Sequence, residues 1–121
     1  MRRDTTVQLA SDGMDSQAFS PLSSAVFHIL LALSQGERHG YGIIVDVRQR
    51  TGGEVRLGTG TLYTALKRLL GQGLLEQIEG LDEKGDTRLT YRLSPLGAEV
   101  LRAEALRLER LVGLARQSEV L

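Results

Sequence analysis

The stretch GTGTLYTALKRLLGQGLL, residues 58–75, combines residue types that suit contact with phosphate groups and base edges. Two glycines and three threonines lead into a predicted helix whose only charged residues are Lys67 and Arg68. Glycine lets the backbone come close to a ligand, and the unpaired N–H groups of a helix start favour an anion. The threonine hydroxyls, the Tyr63 phenol and the two cations add further donors. This chemistry indicates nucleic-acid recognition.

Apolar spacing predicts three helices around this stretch. The first follows Ser20 as N-cap and Pro21 in the first turn, and it ends at Gly36. The second, HGYGIIVDVRQRTGG, ends at the pair Gly52–Gly53 and buries Ile43, Ile44 and Val47. The third has Thr59 or Thr61 as its N-cap. Its apolar stripe consists of Leu62, Ala65, Leu66, Leu69 and Leu70.

A hairpin and a long helix follow. LLEQIEG and TRLTYRL both alternate, and the polar tip LDEKGD lies between them, which predicts two paired strands. Ser94 and Pro95 then open a helix of about 22 residues, or about 33 Å. We therefore predict a mainly α fold with a small two-stranded β-wing: a winged helix-turn-helix plus a long C-terminal dimerisation helix. The expected parts are a flexible arm at 1–20, the DNA-binding domain at 21–93 and the dimerisation helix at 94–121.

The last helix has more apolar positions than one small domain can cover. A heptad-like set on this helix is suited to packing against the same helix of a second copy. This set consists of Leu101, Ala105, Leu108, Val112 and Ala115. Burial of several such side chains favours a homodimer, whereas a monomer would expose an apolar helix that is prone to aggregate.

Composition sets limits on the other classes of function. The chain has 121 residues, 41% hydrophobic residues, 4% aromatic residues and a formal net charge of zero, so total charge does not decide for or against nucleic acid. Cysteine is absent, which excludes disulfides and thiol chemistry and fits a cytoplasmic protein. The longest apolar run, residues 25–33, is about half of a membrane span. His28 and His39 lie far apart in sequence, and we expect neither a metal nor a cofactor.

Three motifs in order resemble the PadR-like transcriptional regulators. They are HGYGI at 39–43, GTLYTALKRLLGQGLL at 60–75 and YRLSPLGAEVL at 91–101. The similarity extends from about residue 22 to residue 115. It implies a homodimer that binds double-stranded DNA at a pseudo-palindromic operator and acts as a repressor. It also implies release by a small aromatic or drug-like molecule, or by a partner protein.

The resemblance carries the DNA-contacting positions over to this chain. Tyr41 starts the second helix, and Lys84 and Arg88 lie on the wing. Asp82, Glu83 and Asp86 share the wing tip, so we expect only a modest contribution from it. The positions on the third helix are Thr59, Thr61, Tyr63, Thr64, Lys67 and Arg68. Of these, Thr64, Lys67 and Arg68 are the candidates for base edges, and Tyr41 and Tyr63 are expected to touch phosphate.

Two other functions are compatible with the residues. A winged-helix module that binds protein would suit the zero net charge and the acidic wing tip. A small enzyme could use the glycine-rich turn, but the stretch lacks the Gly-x-x-x-x-Gly-Lys-Ser/Thr spacing of a nucleotide-binding loop. No catalytic constellation is visible, so we do not expect an enzyme. His28 is expected to be a partly buried helix residue, and His39 either touches phosphate or supports the start of the second helix.

Overall fold

A computed structural model of the chain describes residues 16–121. Within that range the elements are a 3-10 turn at Ser16–Phe19, α1 (Ser24–Leu33), α2 (Gly40–Arg50), α3 (Thr59–Gly71), β1 (Leu75–Leu81), β2 (Thr87–Leu93) and α4 (Pro95–Gln117). The predicted order of three helices, a hairpin and a long helix is confirmed. The fold class, mainly α with a two-stranded wing, is confirmed with it.

The core lies between α1, α2 and α3, the base of the hairpin and the start of α4. It consists almost entirely of aliphatic side chains, as the low aromatic content predicts. The members with less than 2% exposure are Ile29, Leu30, Ala32, Ile43, Val47, Leu62, Leu66, Leu69, Leu74 and Val100. Three of these lie on the predicted stripe of α3, so burial of this stripe fixes which face of the helix points outward.

The antiparallel hairpin is attached to the helices at its base. Leu75 pairs with Leu93 at the base, and Leu81 pairs with Thr87 near the tip. The segment between α1 and α2 adds an isolated bridge: the Arg38 amide donates to the Tyr91 carbonyl at 3.1 Å, and the Tyr91 amide donates to the Arg38 carbonyl at 2.9 Å. This bridge holds the wing beside the start of α2.

Two of the predicted helix starts are wrong. The cap of α1 is Ser23, whose side chain accepts a hydrogen bond from the Val26 amide, and not Ser20. The N-cap of α3 is Gly58, and neither Thr59 nor Thr61 takes that place. The predicted start of α4 is correct, because Ser94 accepts from the Gly97 amide and Pro95 is the first helical residue. Sequence alone ranks the candidate caps poorly where several hydroxyl residues stand close together.

The N-terminal arm was predicted as loose over residues 1–20, of which 1–15 lie outside the described residues. Residues 16–20 belong to the described part of the chain. They form the 3-10 turn and the residue after it, and the Ser20 hydroxyl donates to the Glu104 carboxylate at 3.0 Å. This part of the chain therefore packs against α4.

Among the described residues, helix α4 packs on the domain through its first half. Its buried residues are Gly97, Val100, Leu101 and Glu104. Leu101, which the heptad pattern assigns to the contact with a partner, is 8% exposed and belongs to the core of its own chain, so that assignment does not hold. Beyond Glu104 the large apolar side chains of α4 are exposed. Among residues 16–121, no helix combines the length and the apolar character that a membrane span requires.

Candidate nucleic-acid interface

The outer face of α3 carries all six of its predicted contact residues. Thr59, Thr61, Tyr63, Thr64, Lys67 and Arg68 are all exposed. They take the positions that remain after Leu62, Leu66 and Leu69 are buried against the core. The helical period places Thr64 and Lys67 near the middle of the exposed face. Thr61 and Arg68 lie towards one edge of this face, and Tyr63 lies towards the other edge. The face contains no acidic residue.

The start of α3 is open to a ligand. Gly58 occupies the N-cap with extended backbone, and no side chain among the described residues caps the first turn. The first N–H groups of a helix lack partners within the helix, so they remain available to an anion here. A β-carbon at Gly58 or Gly60 would meet no atom within 4 Å. Packing inside the chain therefore does not require glycine at either position, whereas a close approach of backbone to an external ligand would.

A cleft of about 450 Å³ runs along one edge of α3, between this helix and the start of α1. Thr61, Thr64 and Arg68 line it from α3, and Ser23 lines it from α1. The two helices thus present hydroxyl groups and a guanidinium to the same space. This combination of donors suits phosphate oxygens and base edges.

A second cleft, of about 500 Å³, lies on the other side of α3, between α2 and the wing. Tyr41, Tyr63 and Arg88 line it together with Tyr91 and Leu89. Tyr41 is 65% exposed and Tyr63 is 47% exposed, so both phenols can reach a ligand. The fold therefore brings one predicted contact residue from each of α2, α3 and the wing to a single space.

Tyr91 forms the inner wall of this second cleft. Its side chain is 5% exposed, and its backbone carries the bridge to Arg38. Burial raises the pKa of the Tyr91 phenol above its ordinary value of 10, and the nearby Tyr63 raises it further. The phenol is therefore neutral at physiological pH and adds no negative charge that would oppose a phosphate.

His39 has a structural role at the start of α2. Its Nδ1 accepts a hydrogen bond from the Gly42 amide at 2.8 Å, which makes it the N-cap of that helix. Of the two roles expected for this residue, the support of the helix start is confirmed. His28, the other histidine, is half-buried in α1, as expected.

Two cations near the interface are engaged inside the protein. Arg38 donates from Nε to the Ala32 carbonyl at 3.0 Å, and its Nη2 pairs with Asp46 at 3.2 Å. Arg50 makes a two-pronged contact with the same carboxylate. These guanidinium groups hold α2 and the α1–α2 connection together. Arg68 lines the first cleft, Arg88 lines the second, and Lys67 is exposed on the outer side of α3.

The wing tip is folded by one of its own acids. Asp82 Oδ1 accepts hydrogen bonds from the Lys84 and Asp86 amides, both at 2.9 Å. Arg88 borders the cleft beside α3, but Lys84 is exposed at the tip and lines neither cleft. The structure thus separates the two cations that the sequence assigned to the wing.

Two groups at the clefts were missed from the sequence. Ser23 is absent from the predicted contact residues because the sequence signal at Ser20 and Pro21 favours Ser20 as the cap of α1. The pair Ser23–Ser24 directly before the apolar run was the signal that could have identified it. Leu89 is also absent from the predicted contact residues. The distance between its strand and α3 depends on how the hairpin packs, and the strand pattern does not contain this information.

These elements define a class of protein. A helix-turn-helix formed by α2 and α3, with an exposed second helix and an adjacent two-stranded hairpin, is the architecture of a winged helix-turn-helix protein. In this turn, Gly52 and Gly53 both take positive φ, 63° and 87°. That conformation suits glycine and ends α2 as the sequence predicted.

The chain belongs to the transcriptional regulator PadR-like family, whose sequence pattern it matches over residues 29–103. The resemblance stated from the sequence motifs is confirmed. The family is one of transcriptional regulators and not of enzymes. An uncharacterized 37.1 kDa protein in transposon TN4556 from Streptomyces fradiae is 41% identical over 92 residues, which are 76% of this chain. The chain spans about a quarter of the length of that relative, since the match covers 25% of it.

Solved structures show the same fold. A PadR family transcription regulator from Clostridium difficile superposes with a TM-score of 0.69 at 26% identity, over 78% of this chain and 97% of the other. A transcriptional regulator from Clostridium thermocellum gives 0.65 at 26% identity, over 76% and 89%. Bacillus subtilis PadR, solved in complex with operator DNA, gives 0.62 at 23% identity, over 69% and 46%, and at that identity the likeness shows the fold alone.

Proposed function

We propose that this protein is a homodimeric, sequence-specific DNA-binding transcriptional regulator that acts as a repressor. In this proposal α3 is the recognition helix and enters the major groove with Thr64, Lys67 and Arg68 towards the base edges. Tyr41, Tyr63 and Arg88 at the second cleft contact phosphate. The observation that carries the proposal is the outer face of α3, which offers hydroxyl groups, Lys67 and Arg68 without an acid and begins at an uncapped turn.

The exposed half of α4 supports the homodimer. Its inner face follows the series Gly97, Leu101, Glu104, Leu108, Leu111 and Ala115, which repeats at three and four residues. The first three are buried in the domain, and the series then continues with exposed leucines. We define the α4 apolar face as Leu108, Leu111, Val112 and Ala115, and we propose that the same face of a second copy covers it. Relative to the heptad pattern, Leu111 enters this set, and Leu101 and Ala105 leave it.

Two copies joined in this way would present two α3 helices. Dimeric helix-turn-helix proteins place their recognition helices about one DNA turn apart, roughly 34 Å, on a pseudo-palindromic operator. We further propose that repression is relieved by a small molecule or another signal, which rests on the resemblance to the family. Its test is a ligand that lowers the affinity for the operator without unfolding the protein.

The DNA contact is tested on an operator selected by the protein itself. Genomic fragments retained by pure protein are sequenced, and the enriched site is labelled for fluorescence anisotropy. We expect Lys67→Ala with Arg68→Ala to weaken binding by about 2–4 kcal/mol, on the scale of about 1–3 kcal/mol for each base contact. Unchanged affinity in the double variant would remove α3 from the recognition role.

A matched control separates specific contacts from net charge. Arg102→Ala with Arg110→Ala removes the same two charges from exposed positions on α4. We expect this control to bind the operator within about threefold of the wild type at 0.15 M salt, where distant charges are screened. Failure of the wild-type protein to retain any duplex at low salt would favour the protein-binding alternative.

The dimer is tested by sedimentation equilibrium. Leu111→Glu places a charge on the α4 apolar face and is expected to give a monomer at micromolar concentration. Leu106→Glu is the matched control, because Leu106 is also exposed but lies about 140° around the helix from Leu111. Equal masses for Leu111→Glu and the wild type would contradict the proposed face.

A further inference from the structure

A buried carboxylate marks the point at which α4 leaves the domain. Glu104 is 3% exposed and is the last buried residue of the helix. A buried ionised group requires partners, and Glu104 has four hydrogen bonds. Arg107 donates to it from Nε and Nη2, both at 2.8 Å, while Ser20 Oγ and the Leu22 amide each donate at 3.0 Å.

These bonds join α4 to a segment that is distant in sequence. Ser20 and Leu22 precede α1, more than eighty positions before Glu104. The same segment packs inward, because Phe19 and Leu22 contact the core and border a cleft with Val26 and Leu69. Leu69 belongs to the buried face of α3. The segment therefore connects α4 to the helices that carry the recognition face.

A second fixed point lies nearer the start of α4. A β-carbon at Gly97 would come closer than 3.0 Å to the Leu74 carbonyl oxygen, so the helix backbone rests directly on the chain that precedes β1. Gly97 and Glu104 are about 10 Å apart along the axis, and Gln117 lies about 30 Å from Gly97. With Gly97 as pivot, a shift of about 1 Å at Glu104 moves the end of α4 by about 3 Å.

We propose that Glu104 is a positioning residue that fixes the direction of α4 through Ser20, Leu22 and Arg107, and thereby sets the distance between the two α3 helices of the dimer. This inference rests on the proposed function, because it requires a dimer built on α4. A displacement of about 3 Å equals roughly one base-pair step, since a turn of about 34 Å holds about ten pairs. The contact would therefore determine which spacing of operator half-sites the protein accepts.

The direct test measures the α3–α3 distance without DNA. The chain has no cysteine, so Lys67→Cys accepts a single spin label on the outer face of each α3. We expect one narrow distance distribution in the otherwise unchanged protein and a distribution at least about twice as broad when Glu104→Gln is added. The matched control is Glu109→Gln, which removes the same charge at an exposed position of α4 and is expected to leave the distribution narrow.

The functional test uses unlabelled protein and operators whose half-sites are moved by one base pair in either direction. We expect the wild type and Glu109→Gln to bind the operator with the preferred spacing about tenfold or more tightly than the shifted operators. For Glu104→Gln we expect this ratio of affinities to fall to about threefold or less. A merely structural loss of stability would lower the affinity for all spacings by the same factor. Glu104→Gln with unchanged preference and an unchanged distance distribution would overturn the proposal.

Two further outcomes are distinguishable. If Glu104→Gln does not fold, Ser20→Ala removes one bond to the segment and keeps the Arg107 pair, and it should broaden the distance distribution to a smaller extent. If the labelled protein without further substitution shows no dipolar coupling, this result contradicts the proposed dimer and leaves the role of Glu104 to be tested within one chain. A second label introduced at Arg116 then gives the distance from Lys67→Cys within one chain, which reports the direction of α4. An unchanged width of this distance distribution in Glu104→Gln would contradict the positioning role.

Discussion

The phenol of Tyr63 in α3 lies directly against Gly40, the first residue of α2. A β-carbon at residue 40 would come closer than 3.0 Å to the Tyr63 hydroxyl oxygen. The two helices of the helix-turn-helix therefore meet at a glycine and a tyrosine whose ring is still 47% exposed. Because the same ring borders the second cleft, the packing of these helices and the position of a predicted DNA contact are coupled.

Gly40→Ala should impair DNA binding more than folding. The added methyl group meets the end of a side chain that can swing outward, so we expect about 1 kcal/mol of destabilisation. Displacement of Tyr63 should weaken operator binding by about tenfold, measured by anisotropy. In a Tyr63→Ala background the same substitution should cost little further affinity, and additive losses in that double-mutant cycle would contradict the coupling.

Gly97→Ala should destabilise the fold. The methyl group would meet the backbone carbonyl of Leu74, which cannot move without shifting the chain before β1, so we expect a loss of about 1–3 kcal/mol in urea unfolding. Gly113→Ala on the same helix is the control. A β-carbon at Gly113 would meet no atom outside the neighbouring helix backbone within 4 Å, and alanine should stabilise the helix by about 0.5–1 kcal/mol.

The two wing cations should differ in their effect on DNA binding. Arg88 borders the second cleft, whereas Lys84 is exposed at a tip that also holds Asp82, Glu83 and Asp86. We expect Arg88→Ala to reduce the magnitude of the slope of log K for operator binding against log salt concentration by about 0.9, as for one lost phosphate contact. Lys84→Ala should change that slope by less than about 0.3. The reverse order would show that the tip, and not the base of the wing, contacts the backbone.

The Glu104 contact should appear in the pH dependence of stability. Hydrogen bonds from Arg107 first, and then from the Leu22 amide and Ser20, lower the pKa of Glu104 from 4.5 to about 2 against the opposing effect of burial. A carboxylate with a lowered folded-state pKa stabilises the fold above its unfolded pKa, and this stabilisation is lost as pH falls towards the folded value. The difference in unfolding free energy between the wild type and Glu104→Gln should be constant above about pH 5 and shrink between 4.5 and 2.

Urea unfolding at fixed protein concentration over pH 2.5–7 measures this difference, and Glu109→Gln serves as the control at an exposed carboxylate. A difference that grows on acidification would contradict the assigned partners of Glu104. Because its pKa lies far below neutrality, the carboxylate remains ionised at physiological pH, and the contact acts as a permanent one.

Local sequence signals were sufficient for much of the fold. The stripe of α3 could be identified because burial of one helix face imposes a period of 3.6 residues. Ser94 and Pro95 marked the start of α4 because a side-chain acceptor and a proline with fixed φ both favour a first helical turn. Where hydroxyl residues crowd together, as at Ser20, Ser23 and Ser24, the choice of cap depends on contacts elsewhere, and the prediction was wrong.

The sequence alone determined the order of the elements, the outward face of α3 and the family motifs, because each of these depends on residues close together in the chain. The tertiary structure alone decided that Leu101 is buried in its own domain, that Tyr41, Tyr63 and Arg88 border one cleft, and that Ser20 meets Glu104. Those relationships join positions far apart in sequence. They depend on how helices and strands pack in three dimensions, which hydrophobic periodicity and capping signals do not encode.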